Sequence, residues 1–413
     1  MKKHSPILPV SGLSDDLQAL LKDLPYFTPE ETFGNIGRGD PNPAKFDDAT
    51  NRRVGLHRDT WKLEIEADSE HPRPDCLLMN PLLEKNGNAI DYAQLQKIAV
   101  NKRIAFPKLM TCLNLPEPLG MGMWVGVPLR DILMLAEPSI LVRRVFFYGY
   151  HNDDIEQRFQ ASLSINRILE DPPGMPPIIL CYEVNGMELT PARGAPVRII
   201  APESYGFRSV KWLQKIVVTH DHRANDTYAE WNKGKGHWDW GNDTEASMKL
   251  VARFHKPPDS INAGQPIPLT GIAQVGIHGL SAVEVAVVPW EKEQKDFFKL
   301  TPENALSWKA QLYEDADWQL ATLLEPSEEY THHHMRPELK GRIWGMDTNS
   351  GLPSVWPMPF TLCNWAIVLN SLPAGKYTLI CRAVNRHGVA QPLPLPSPKS
   401  GMSAIQKHTI VVE

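Results

Sequence analysis

Residues 194–213 read Gly-Ala-Pro-Val-Arg-Ile-Ile-Ala-Pro-Glu-Ser-Tyr-Gly-Phe-Arg-Ser-Val-Lys-Trp-Leu, an apolar and β-rich stretch that carries three cations. Two of these cations, Arg198 and Lys211, fall within strand-like apolar runs, where a solvated charge is less expected than a charge that faces a ligand. Gly206 has no side chain, so backbone at this position can approach a bound group closely. The stretch therefore predicts strands and a turn that present positive charge to a ligand.

The residues around this stretch have a mixed pattern. From Trp61 to Val218, short β-rich runs alternate with brief helical ones at 92–100 and 128–136, and a polar, turn-rich connector follows. This pattern predicts a mixed α+β domain over residues 61–262.

The two ends of the chain read differently from its middle. Residues 1–60 carry scattered Pro, Gly, Asn and Asp, which predicts an extended N-terminal arm that packs on the central domain, with one short helix at 15–24. Residues 263–413 predict an antiparallel β-sandwich. Its strands are expected in five β-rich runs: 267–274, 282–288, 318–324, 360–367 and 377–384.

Composition excludes several classes of protein. Of 413 residues, 42% are apolar and 22% charged, which is typical of globular proteins and excludes disordered, collagen-like and coiled-coil chains. The net charge of −5 gives no basic field that would attract nucleic acid. There is no 18-residue apolar run to span a membrane and no visible export signal, so a cytoplasmic location is expected, or a periplasmic one if a leader was removed.

The five cysteines are widely spaced and form neither CxxC nor CxxCH, which argues against a disulfide scaffold, a zinc ribbon and covalent c-type haem. Cys112 alone follows an apolar strand and precedes a loop of Asn, Pro and Gly, where a side chain can point into a cleft. The alternative is a buried, inert thiol.

Three separated segments resemble the sulfite oxidase family of molybdenum–pyranopterin (molybdopterin) oxidoreductases. The first holds Cys112 and is followed by Trp124-Val125-Gly126-Val127-Pro128-Leu129; the second is 182–186 with the stretch 194–213; the third lies in 263–413. The third segment, with Arg382-Ala383-Val384-Asn385-Arg386-His387-Gly388, is similar to the immunoglobulin-like dimerisation domain of that family.

The resemblance implies a molybdopterin cofactor and a set of residues that bind it. Cys112 would be the catalytic ligand of molybdenum, and one thiolate suffices because the cofactor supplies the other sulfurs. The other cofactor-binding residues that the resemblance implies are Asn35 and Arg38 in the arm, His151, the phosphate-binding cations Arg193, Arg198 and Lys211, and the turn residues Gly206, Phe207 and Arg208.

The resemblance also implies partners. We expect a homodimer through residues 263–413 and a small-molecule substrate. No haem-binding domain is visible on the chain, so a separate electron donor or acceptor is expected.

The sequence departs from the sulfite-oxidising pattern after Cys112. Leu113-Asn114-Leu115-Pro116-Glu117 stands where those enzymes have a Gly-Asn-Arg-Arg type sequence, and their active-site tyrosine has no clear counterpart. A carboxylate at Glu117 would repel sulfite. The expected activity is therefore transfer of an oxygen atom and two electrons to or from a small, sulfur-containing substrate. A reductase of sulfoxides of the oxidised-methionine type, which the Gly-Ala-Pro-Val-Arg and Tyr-Gly-Phe sequences resemble, and a non-catalytic binding protein stay open.

Two histidine clusters are weaker metal candidates. Residues 332–334 are three consecutive histidines, for which a solvated loop is the ordinary interpretation, and His220 and His222 could form a zinc pair for which no third ligand is identifiable.

Overall fold

The computed structural model describes residues 4–37, 42–113, 115, 117–150, 159–222, 245–290, 313, 316–393 and 400–413. Within these residues the chain forms four five-stranded sheets and short helices. The α-helices are α1 Asp15–Leu21, α2 Asp48–Arg53, α3 Tyr92–Lys102, α4 Leu129–Leu133, α5 Ile165–Leu169 and α6 Glu329–His334. No helix of these ranges is long and apolar enough to cross a membrane.

Two of the sheets build the central domain. The first has the order β10-β8-β5-β4, with β9 paired to β8, and consists of β4 Ile104–Met110, β5 Gly120–Pro128, β8 Ile179–Val184, β9 Met187–Glu188 and β10 Arg198–Ile200. The second has the order β3-β2-β11-β6-β7 and consists of β2 Lys62–Ala67, β3 Ile90–Asp91, β6 Arg144–Gly149, β7 Phe159–Ser164 and β11 Leu213–Thr219.

The first sheet is buried on both faces. Successive side chains of a strand point to opposite faces. On β4, Ala105 and Leu109 therefore join the large core of the central domain, whereas Phe106 and Met110 join a smaller cluster with Trp124. A Cβ atom at Gly126 would lie 2.2 Å from the Leu180 carbonyl oxygen, so only glycine permits the close pairing of β5 with β8.

The other two sheets pack face to face around a second core. One has the order β1-β17-β18-β14-β12 and consists of β1 Ile7–Leu8, β12 Val251–His255, β14 Ile267–Gln274, β17 Thr322–Leu324 and β18 Leu362–Leu369. The other has the order β13-β20-β19-β15-β16 and consists of β13 Ser260–Ile261, β15 Ala282–Pro289, β16 Gln319–Leu320, β19 Gly375–Val384 and β20 Gln406–Val412. Leu269 in β14 and Trp365 in β18 share this core with Val283 in β15 and Leu379 in β19.

The α+β fold class is confirmed, and the expected strands of the sandwich are present. Its first strand lies earlier than the expected boundary at residue 263, because β12 pairs with β14. β12 is a short apolar run that is interrupted by Arg253 and follows a polar connector, so its sequence does not stand out as a strand. The N-terminal arm reaches beyond the central domain, since β1 pairs with β17 of the sandwich. An immunoglobulin-like topology stays a prediction.

Lys108 is a fully buried cation in the middle of β4. Its Nζ donates hydrogen bonds of 3.0 Å to the carbonyl oxygens of Leu109 and Ser204. Burial lowers the pKa of Lys108 to about 7; the charge of Glu203 opposes this effect and that of Arg198 adds to it. The ammonium therefore ties β4 to the loop 201–209, at a free-energy cost for the charged form.

We predict that this lysine makes stability rise with pH above neutrality. Between pH 7 and the ordinary lysine pKa of about 10.4, the unfolded chain holds the Lys108 proton and the folded chain does not, so raising pH favours the folded state. In urea unfolding, the free energy of unfolding of the wild type should be about 2 kcal/mol higher at pH 9 than at pH 7 because of Lys108. Lys108→Met should lack this rise. Lys97→Met, at an exposed lysine of α3, is the control. Equal pH dependence in wild type and both variants would contradict the prediction.

Candidate functional site

An open cleft lies at the carboxyl end of β4. One wall is the N-terminal arm at Gly34 and Ile36, a second is the segment that contains Cys112, and a third is formed by residues 193–212. The cleft thus brings together parts of the chain that are far apart in sequence.

Cys112 lies on the cleft wall just after β4 ends. The backbone N–H of Gly206 donates to the Thr111 carbonyl at 2.8 Å, and the N–H of Leu119 donates to the Met110 carbonyl at 2.8 Å. These two bonds fix the backbone on both sides of the turn that follows β4. The Cys112 side chain is therefore presented to the cleft from a rigid strand end.

The other cysteines do not share this position. All five lie in the described residues, and only Cys112 lines the cleft. Cys181, Cys363 and Cys381 are buried, and burial raises the pKa of the Cys181 thiol to about 12. Cys76 lies in the turn Pro74–Cys76. The partly exposed Cys112 is the one thiol that can meet a group bound in the cleft.

Arg198 is a buried cation on the same cleft. Its side chain lies over the Trp124 ring, with its guanidinium carbon 5.3 Å from the ring centroid, and only 2% of the residue is exposed. The Nη1 and Nη2 atoms donate to the carbonyl oxygens of Arg193 and Ser209 at 2.8 and 2.6 Å.

The charge of Arg198 has no counter-ion in the described ranges. Burial lowers its pKa to about 10, which still leaves the group protonated at neutral pH. Among the described residues no carboxylate pairs with it, and its buried Nε has no hydrogen-bond partner. A buried charge in this state is expensive unless an anion compensates it.

Arg193 also lines the cleft, but its donors are occupied by the arm. Nη1 and Nη2 donate to the carbonyl oxygens of Gly34 and Phe33 at 2.7 and 2.8 Å, and Nε lies 3.3 Å from a carboxylate oxygen of Glu30. The guanidinium carbon is 4.5 Å from the Phe33 ring centroid. Arg193 therefore holds the arm in place as a wall of the cleft.

Lys211 and Asn35 meet across the cleft. Lys211 Nζ donates to the Asn35 side-chain oxygen, and it lies 3.4 Å from the Ile36 carbonyl oxygen. The backbone of Lys211 packs directly against Gly194, which has φ +97°. A Cβ atom built at position 194 would lie only 2.7 Å from the Lys211 Cβ atom, so this packing requires glycine. The expected contact residues Asn35 and Lys211 thus lie together.

The turn Gly206–Arg208 divides its side chains between two places. Gly206 and Phe207 line the cleft, whereas Arg208 turns away and lies 2.8 Å from a carboxylate oxygen of Glu245. The interpretation of Arg208 as a cleft cation therefore does not match its orientation. Arg38 and His151 lie outside the described residues.

Sequence reasoning missed several residues that shape the site. Ser209 and Trp124 hold Arg198 through a carbonyl and a ring face, and Glu30 orients Arg193 from 163 positions earlier. No sequence signal links Glu30 to Arg193. Trp124, in contrast, belongs to the quoted Trp-x-Gly-x-Pro-Leu segment and could have been assigned.

Glu117 does not face the cleft. Its Oε1 atom lies 3.3 Å from Nη1 of Arg253 in β12, and its side chain is 63% exposed. The carboxylate that was expected to repel sulfite is therefore partly neutralised by an arginine of the sandwich.

The histidine clusters do not form a metal site in the described part of the chain, where no group of three or more His, Cys, Asp or Glu side chains could hold an ion. The three consecutive histidines lie in α6 rather than in a loop. The rings of His71 and His220 are in edge contact, with centroids 4.1 Å apart.

Comparison with known proteins finds relatives of the central domain. Residues 51–227 match the family described as the oxidoreductase molybdopterin binding domain. A nitrate reductase [NADPH] of Beauveria bassiana is 35% identical over 108 residues, which are 26% of this chain and 12% of that protein. The mitochondrial sulfite oxidase of Macaca fascicularis is 23% identical over 252 residues, 54% of this chain and 43% of that protein. The chain thus matches less than half the length of either relative.

A solved structure shares the fold. The sulfane dehydrogenase SoxCD from Paracoccus pantotrophus aligns with a TM-score of 0.55 and 16% sequence identity, over 87% of this chain and 79% of that one. Residues 51–227 thus belong to the family of the oxidoreductase molybdopterin binding domain, and the chain is similar to sulfite oxidases over about half of its length.

Proposed function

We propose that this protein binds a molybdopterin cofactor in the Cys112 cleft and transfers an oxygen atom and two electrons to or from a small, sulfur-containing substrate. One observation carries the proposal: the only cysteine that lines the cleft shares it with Arg198, a buried cation that has no carboxylate partner in the described part of the chain. Thiolate is a suitable ligand for molybdenum, and guanidinium is suited to a phosphate group.

The residues of the cleft have separate roles in this proposal. Cys112 would hold molybdenum through its thiolate, and Arg198, whose Nε has no hydrogen-bond partner among the described residues, would hold the phosphate end of the cofactor. Asn35 of the N-terminal arm accepts a hydrogen bond from Lys211 and covers the same region of the cleft. When bound, the cofactor supplies the two-electron redox chemistry, while the protein supplies position and charge.

The lining of the cleft bears on the substrate. Met110, Leu113, Leu119, Phe159 and Phe207 make much of the wall apolar. No arginine follows Cys112 up to Glu117, so the segment after the thiol offers no cation to an anionic substrate. This wall favours an uncharged sulfur compound over sulfite, and a sulfoxide is the second candidate because it is neutral and polar at one atom.

The electron partner and the assembly are also proposals. A separate protein or small molecule would exchange electrons with the cofactor, and residues 263–413 would form a homodimer. The name of SoxCD and those of the sulfite oxidases describe proteins that act on sulfur compounds, which supports the substrate class proposed here.

We predict that Cys112→Ser abolishes oxidoreductase activity with artificial electron donors and acceptors, because a hydroxyl is a poor substitute for the thiolate ligand. Pterin should remain, since the contacts to its phosphate end are intact. Mass spectrometry measures the molybdenum content, and fluorescence after acid release measures the pterin content. Cys76→Ser, at a cysteine outside the cleft, should leave activity, molybdenum content and pterin content unchanged. Undiminished molybdenum and activity in Cys112→Ser would refute the catalytic proposal.

We predict that Arg198→Met lowers the pterin content of the purified protein about 10-fold or more, because a hydrogen bond to a charged group contributes about 1.5–3 kcal/mol. Arg253→Met is the matched control: it removes another buried arginine, one that lies in β12 and does not line the cleft. Thermal melting shows that both variants fold. Equal pterin content in the two variants would show that Arg198 does not hold the cofactor.

A further inference from the structure

Two buried arginines outside the cleft converge on a single carboxylate oxygen. Arg144 Nη2 lies 3.0 Å and Arg208 Nη2 lies 2.8 Å from Oε1 of Glu245. The side chains of Arg144 and Arg208 are 9% and 6% exposed, whereas that of Glu245 is 64% exposed. The cations are thus built into the fold, and the carboxylate approaches them from the solvent side.

The charges at this point do not balance. Arginine remains protonated at all physiological pH values, so the two guanidinium groups carry two positive charges against one shared carboxylate. Within the described residues, the buried Nε atoms of both arginines have no hydrogen-bond partner. Arg208 Nη2 is within ion-pair distance of Glu245 and is engaged with it. The two Nε donors are therefore left over.

The framework around the arginines is rigid. Arg144 is the first residue of β6 and pairs with Ser164 of β7 and Thr219 of β11. Arg208 closes the turn that begins at Gly206. The segment after Glu245 is tied to the same loop, since Met248 N–H donates to the Glu203 carbonyl at 2.9 Å.

Glu245 is the replaceable member of the cluster. Burial opposes its ionisation, but Arg208 and Arg144 outweigh that effect and hold the pKa of the carboxyl below its usual value. An exposed carboxylate gains little net free energy from an ion pair, because water solvates it well when it leaves. A tetrahedral oxyanion offers three or four acceptor oxygens and could satisfy donors that one carboxylate oxygen leaves unpaired.

We propose that Arg144 and Arg208 form a binding site for a tetrahedral oxyanion such as sulfate or phosphate, and that Glu245 occupies this site when no anion is bound. Neither arginine lines the Cys112 cleft, so the site is separate from the one proposed for the cofactor.

The test uses the purified protein and inorganic sulfate, added at constant ionic strength with chloride as the balancing salt. An anion that binds only the folded state raises the melting temperature as its concentration rises. In Glu245→Ala the internal competitor is gone, so the melting temperature should begin to rise at about a 10-fold lower sulfate concentration than in wild type.

Glu117→Ala is the matched control. Glu117 is also an exposed carboxylate on a buried arginine, with 63% of its side chain exposed against 11% for Arg253, but it faces one arginine instead of two. Its response to sulfate should equal that of wild type. The double variant Arg144→Met/Glu245→Ala should lose the gain seen in Glu245→Ala.

The outcomes separate this site from the cofactor proposal. Equal sulfate responses in Glu245→Ala and Glu117→Ala, or a gain that persists without Arg144, would overturn the anion site. Molybdenum and pterin contents measured in the same samples report on the cofactor independently. Phenyl phosphate is the second ligand. If it shifts the melting temperature as much as sulfate does, the site is open to an oxyanion group on a larger molecule. If only sulfate shifts the melting temperature, the site takes the free ion.

Discussion

The hydrogen bond between the N–H of Gly206 and the Thr111 carbonyl joins the two halves of the candidate site. It holds the strand end that presents Cys112 against the turn that contributes Gly206 and Phe207. A Cβ atom at position 206 would lie 3.2 Å from the Thr111 oxygen, which is tighter than ordinary contact, so glycine suits this position. The loop 201–209 is fixed from its other side by two hydrogen bonds between Arg167 and Glu203, at 2.8 and 3.1 Å.

Buried positive charge is the second constraint on this region. Lys108 and Arg198 lie on the first sheet, and each donates to backbone carbonyls with no carboxylate in contact among the described residues. A fold that retains such charges loses free energy of folding unless an anion compensates them. Buried charge of this kind is typical of functional sites, where binding of a charged ligand recovers the free energy that was lost on folding.

Local patterns in the sequence were sufficient for the strands and for part of the site. The run 267–274 became β14 with the same bounds, and Arg198 and Lys211 reached the cleft because apolar neighbours place them in or beside strands. Side-chain partners distant in sequence were not accessible in this way. Arg193 binds the arm through Glu30, and Arg208 turns to Glu245, which no periodicity or motif indicates.

The most direct test of the cofactor assignment is elemental analysis of the purified protein, expressed in a host that makes molybdopterin, together with fluorescence of the pterin released by acid. Cys112 and Arg198 on one cleft predict about one molybdenum and one pterin per chain. Protein from such a host that contains neither molybdenum nor pterin would contradict the account.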